Sequence, residues 1–305
     1  MTDNEYLFFD IECANCFGGE GKICSFGYVI CDERFNIIEC DDLVMNPESK
    51  FDWAFFSKKI DVSLSYPKQK FLSSPKFPHY YPKIYQLMTE HSGRIIGFAP
   101  KNDIGFLDYT CRRYETELPR TQIYDLVSIL HTKVDEDMKL VKWAQRFDVN
   151  MSKLTAHNSA DDAKMTMFVL RGFCAEYRLS LAEAIKAAER TVIDTGRYLS
   201  QKKQSRVSKE YRMKIRQLSK VRHIIKEDKL HGQHYHIMLP KNADMKAKYE
   251  LAMQICAFGG ELDQKIRKNV TVVVDDDRVK QILASEIAGF CQNIISVSEL
   301  RKQIL

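Results

Sequence analysis

The chain lacks the long apolar run that a membrane span requires: no stretch approaches the roughly 18 residues needed to cross a bilayer. Its first residues, MTDNEY, carry acids where a secretory leader would need a basic region. A second cysteine pair is also missing. Cys13 and Cys16 form a CxxC followed by Cys24, but no further pair stands at a spacing that would complete a four-ligand zinc site. The nine cysteines are an odd number scattered through apolar and loop positions, which fits reduced thiols better than a disulfide framework. The expectation is a soluble cytoplasmic protein without a membrane partner. There is no internal repeat and no low-complexity tract.

What is present points to more than one domain. A chain of 305 residues, 45% hydrophobic, can bury one core of about 150 to 200 residues and a smaller one beside it. The net charge of +5 is modest but uneven. Thirteen Lys/Arg and four Asp/Glu lie between Arg190 and Lys229, so this segment carries the whole basic excess and the remainder is net negative. The expected division is an α/β domain over 1–178, a basic helical connector over 179–230 and a small α/β domain over 231–305.

Residues 5–12 read as a buried strand with 22–31 and 35–40 as its hairpin neighbours. RIIGF at 94–98 reads as a short central strand and QIYDLV at 122–127 as another. Helices are expected over 80–91, 103–114, 139–147 and 160–177, with a further one opening at Ser180 in a capping box with Glu183. In the connector Val207, Tyr211, Ile215, Leu218 and Ile225 form one helical stripe among basic residues, predicting an amphipathic helix of about 20 residues. Beyond it the pattern is β-α-β-β-α-β-α. The Pro-, Lys- and aromatic-rich stretch 45–82 reads as a long ordered loop with short helices, where Trp53, Phe55 and Phe56 could stack on bases or form a small core of their own.

The stretch FDIE raises the chemical question. Residues i and i+2 of a strand point the same way, so Asp10 and Glu12 share a face at the end of a buried strand. Asp103 follows the strand at 94–98, Asp162 lies near the start of the helix after KLTAHNSA, and His157 sits five residues before it. Taken alone, Asp103 could cap a helix starting at Ile104, and Ser159 and Asp162 have capping-box spacing. Neither explains two acids after a buried strand. Converging carboxylates repel by about 4 kcal/mol per pair at 4 Å and an effective dielectric near 20. Divalent magnesium or manganese, which prefer hard oxygen ligands, would reverse that sign. A histidine alongside has a pKa suited to proton removal.

The segments FDIE at 9–12, GFAPKNDIGFLDY at 97–109 and HNSADDA at 157–163 resemble the three motifs of the DEDDh 3′-to-5′ exonuclease superfamily. The resemblance implies a ribonuclease-H-like mixed sheet flanked by helices. It further implies two divalent cations, Mg2+ or Mn2+, with Asp10 bridging both, Glu12 and Asp162 holding the ion that carries the attacking water, and Asp103 supporting the second. His157 would be the general base, and the products nucleoside 5′-monophosphates. Two departures stand out: Phe98, Ala99 and Asn102 occupy positions where the second motif usually has His, Asn and Phe, and Ser159 stands where Ala is usual. The final domain resembles a BRCT domain without the usual Trp of its last helix. The partners so implied are single-stranded DNA or RNA 3′ ends, met by the basic helix as well as the acidic pocket, and a protein partner of the last domain. The competing expectation is a non-catalytic adaptor on a nuclease fold.

Overall fold

The computed structural model describes residues 5–17, 20–52, 64–152, 154–155, 157–218, 220, 225–239, 244–286 and 293–304. Trp53, Phe55 and Phe56 lie outside them. The chain divides into two compact units, 1–199 and 200–305.

In the first unit β1 (Tyr6–Cys13), β2 (Ile23–Cys31) and β3 (Ile37–Val44) form an antiparallel meander. Then come α1 (Lys68–Ser73), α2 (Phe77–Glu90), β4 (Ile95–Gly97), α3 (Lys101–Arg113), β5 (Gln122–Asp125), α4 (Leu126–Leu130), α5 (Leu140–Arg146), α6 (Ser159–Tyr177), α7 (Leu181–Ala187) and β6 (Ile193–Asp194), while α8 (Thr195–Leu218) begins in this unit and has most of its length in the second. The sheet runs β3-β2-β1-β4-β5-β6, with β1, β4 and β5 parallel and the rest antiparallel.

Period-two alternation sorts the strand side chains onto two faces. Tyr6, Phe8, Val29 and Cys31 pack with α4, α5, α6 and α7, while Leu7, Phe9, Ile11, Phe26 and Tyr28 pack with α2 and α3. With both faces covered, β2 is buried along its whole length, and Ser25 is the one polar side chain in it. Helix α6 carries ten buried residues, and each large apolar one, such as Leu170 or Phe173, contributes about 1.5 to 3 kcal/mol. This anchors the helix that carries Asp162.

Ser180 and Glu183 form the expected capping box at the start of α7. Leu181, Ala184 and Ile185 are buried with α6, so the beginning of the segment read as a connector belongs to the first core. Helix α8 starts at Thr195 and runs for 24 residues. The expected apolar stripe holds only in its middle: Ile215 is buried and the Tyr211 ring lies 5.5 Å from that of Tyr249, tilted by 45°, but Val207 is 42% exposed and Ile225, beyond the helix, 50%.

The second unit adds β7 (His234–Met238), α9 (Met245–Ala257), β8 (Glu261–Leu262), β9 (Val270–Val274), α10 (Asp277–Glu286), β10 (Asn293–Ser296) and α11 (Val297–Ile304). Its sheet is parallel throughout, in the order β10-β9-β7-β8. Strand β7 is an inner strand of this sheet, and on it His234 Nδ1 lies 3.1 Å from Asp263 Oδ2.

Candidate active site

The five acids and bases named from the sequence come from three separate parts of the chain: a strand and the beginnings of two helices. Asp10 and Glu12 end β1 on the face that packs against α6. Asp103 lies in the first turn of α3, which follows β4, and is buried at 8% exposure. Helix α3 begins two residues before Asp103, with Pro100 at its N-cap position, so Asp103 is not the cap of a helix starting at Ile104. The route from β4 to α3 turns at Ala99, whose φ is +51°. Asp125 holds that turn, since its Oδ1 accepts from Ala99 N at 3.0 Å and, as N-cap of α4, from Val127 N at 3.0 Å.

His157 and Asp162 stand at the start of α6. The N-cap is Asn158, whose Oδ1 accepts from Asp161 N at 3.0 Å; Ser159 is already helical, and no Ser159–Asp162 capping box forms. His157 has φ +59°, a left-handed conformation uncommon outside glycine. Its N–H donates to Asp162 Oδ2 at 3.2 Å and its Nδ1 lies 3.4 Å from Glu12 Oε1.

One donor atom from each of Glu12, His157 and Asp162 lies within 4.8 Å of the other two, and no other such cluster occurs among the described residues. Asp10 and Asp103 stand beside them. Burial pushes the Asp10 carboxyl well up, with the charges of Asp103, Glu12, Asp162 and Asp42 adding to it. Burial and Glu12 raise Asp103 to about 8, and the same pair of causes raises Asp162 to about 7. The hydrogen bond to Glu12 raises His157 against the opposing effect of burial. Clustered oxygen donors with proton affinities this high suit a hard divalent cation, which would replace the bound protons and cancel the repulsion.

Asp42 escaped the reading of the sequence. It sits on the edge strand β3 opposite Gly27, which in turn lies opposite Asp10. Burial raises its carboxyl, opposed by the hydroxyls of Ser159 and Tyr66. The signal was an acid two residues before the buried Val44, on the same strand face.

A mixed sheet flanked by helices, with acids gathered at its strand ends, has the architecture of a ribonuclease-H-like exonuclease. The sequence profile of the RNase T family, described as an exonuclease family, matches residues 7–170, more than half of the chain; the protein belongs to that family. Among curated proteins no sequence matches significantly. Solved structures similar to the chain include exonuclease I, described as suggesting how processivity is achieved, at 13% identity and TM-score 0.48, covering 60% of this chain and 43% of that one. The nuclease domain of 3′hExo, a DEDDh family member solved with rAMP, matches at 14% identity and TM-score 0.46, over 57% of this chain and 92% of that domain. Exonuclease X in complex with 5′ overhanging duplex DNA matches at 11% and 0.44, over 60% and 99%. This chain thus spans less than half the length of exonuclease I. Among the described residues no helix is long and apolar enough to cross a membrane.

Proposed function

We propose that the protein is a divalent-metal-dependent 3′-to-5′ exonuclease that shortens single-stranded DNA or RNA ends and releases nucleoside 5′-monophosphates. The observation that carries this reading is the meeting of Glu12, His157 and Asp162 within 4.8 Å, with Asp10 and Asp103 in electrostatic contact with them. Asp10, Glu12, Asp103 and Asp162 are the groups that would hold two ions, Mg2+ or Mn2+. Such ions lower the pKa of an attacking water and stabilise the departing oxygen of a phosphodiester. His157 is the general base. Glu12 fixes the ring through Nδ1, stabilises the imidazolium that forms when the proton is taken, and leaves Nε2 as the atom that takes it. A single-stranded end fits this role because the terminal nucleotide must be splayed away from its neighbour to reach a recessed acid cluster.

In the second unit the element order and the parallel order β10-β9-β7-β8 support a BRCT-like reading, with Leu300 of α11 filling the core in the helix where that family usually has Trp. This unit is the proposed site of a protein partner. A nuclease domain that takes in α7, a basic helical connector after it, a last domain over 231–305 and a cytoplasmic location belong to the same proposal.

Incubation with 5′-labelled and 3′-labelled oligonucleotides of matched DNA and RNA sequence tests it. The 5′-labelled strand should shorten stepwise with manganese, remain intact with chelator, and remain intact with Asp10→Ala under both conditions. Strands that bind but are never shortened would support the non-catalytic adaptor instead.

A further inference from the structure

Asp42 lies outside the five residues of the proposed mechanism, yet it is tied to the segment that carries two of them. Across the antiparallel meander, Gly27 is flanked in register by Asp10 on one side and Asp42 on the other. The first turn of α6 descends over Gly27 so closely that a Cβ there would sit 2.0 Å from Ala160 N. From that turn the fully buried Ser159 donates its hydroxyl to Asp42 Oδ1 at 2.7 Å and lies 2.8 Å from Ser25 Oγ. Ser25 is the residue opposite Glu12 on β2.

The residues just before Ser159 are held to the same side. Asn158 Nδ2 donates to Tyr66 OH at 3.0 Å and Ser65 Oγ at 3.3 Å, and Ser65 N–H donates to His157 O at 3.3 Å. Between these anchors stands His157 at φ +59°, a conformation that persists only where its surroundings over-determine it. The alanine usual at position 159 in the third motif could make no such bond.

We propose that Asp42, acting through Ser159, is a positioning residue: it holds the turn 157–162 against β2 and β3, so that the His157 imidazole and the Asp162 carboxylate meet Glu12 at the end of the sheet. The role rests on the exonuclease reading above. It differs from ligation, because Asp42 acts through a neutral hydrogen-bond donor and needs only an acceptor oxygen.

That difference is testable by steady-state hydrolysis of a single-stranded oligonucleotide, with thermal melting to establish that each variant is folded at the assay temperature. Ser159→Ala and Asp42→Ala should each lower kcat about tenfold, the lower end of what removing a supporting partner of an active-site ligand costs, with KM changed less than about twofold. Ser159→Thr keeps the hydroxyl and Asp42→Asn keeps an acceptor, so both should stay within about threefold of wild type. The Ser159→Ala/Asp42→Ala double variant should be no slower than the slower single variant, because the two residues act as one unit. Wild-type kcat in folded Ser159→Ala, multiplying effects in the double variant, or Asp42→Asn as impaired as Asp42→Ala would each overturn the positioning role. Ser159→Ala alone decides the matter if the Asp42 variants do not fold. A wild-type protein that hydrolyses nothing would overturn the exonuclease reading itself, whereas an active wild type with an unimpaired Ser159→Ala overturns only the positioning role.

Discussion

At the scale of single residues, Gly27 governs how near α6 comes to the sheet. Its missing side chain leaves room for the backbone of Ser159 and Ala160, which cannot yield as a flexible side-chain tip would. Gly27→Ala should therefore push the start of α6 away from β1 and separate Asp162 and His157 from Glu12, abolishing metal-dependent hydrolysis in the oligonucleotide assay even where circular dichroism shows a folded protein. Wild-type activity in that variant would show that the site does not need the close approach. Asp10 and Glu12 were legible in the sequence because strand periodicity alone puts them on one face. Asp42 was not, because its place opposite Gly27 depends on the pairing of β3 with β2, and pairing register is a property of two strands together.

Elements deliver the acids, and their ends decide where each one points. Helix α6 and strand β2 were legible to within one residue, since buried apolar runs and helical spacing are strong local signals. Boundaries that depend on tertiary contacts were less so: α3 starts at Lys101 because Asp125, on the neighbouring strand β5, holds the left-handed turn at Ala99. Asp125→Ala should remove a helix cap and that anchor together, destabilising the protein by about 1 to 3 kcal/mol in urea unfolding. It should also slow hydrolysis, because the turn that sets the start of α3, and with it Asp103, loses its hold. A variant equally stable and equally active would show that β5 plays no part in setting the site.

Across the whole molecule, charge is segregated between an acidic pocket and a basic helix. Helix α8 carries eight Lys/Arg and one Glu, and residues 200–207 along it are all exposed. Lys202, Arg206 and Lys209 fall on one helical face. If that face follows the phosphates of a single strand, binding should weaken with added salt, and replacing the three by Gln should flatten the log–log salt slope by about 0.7 for each phosphate no longer neutralised. Fluorescence anisotropy with a labelled oligonucleotide reads this; an unchanged slope would assign α8 a structural role only. The concentration of basic residues was plain in the sequence, whereas the exposure of Val207 and Ile225 was not, since burial of an apolar stripe depends on whether another surface meets it.

The central claim is that acids from β1, α3 and α6 together hold divalent cations, and calorimetric titration of the metal-free protein with manganese tests it most directly. Asp162 and Asp103 must lose protons held up to about 7 and about 8, so affinity should rise as pH is raised through that range. Asp103→Asn should bind at least about tenfold more weakly or take up fewer ions. No manganese uptake by the wild-type protein, or an Asp103→Asn variant that titrates as wild type does, would contradict the account.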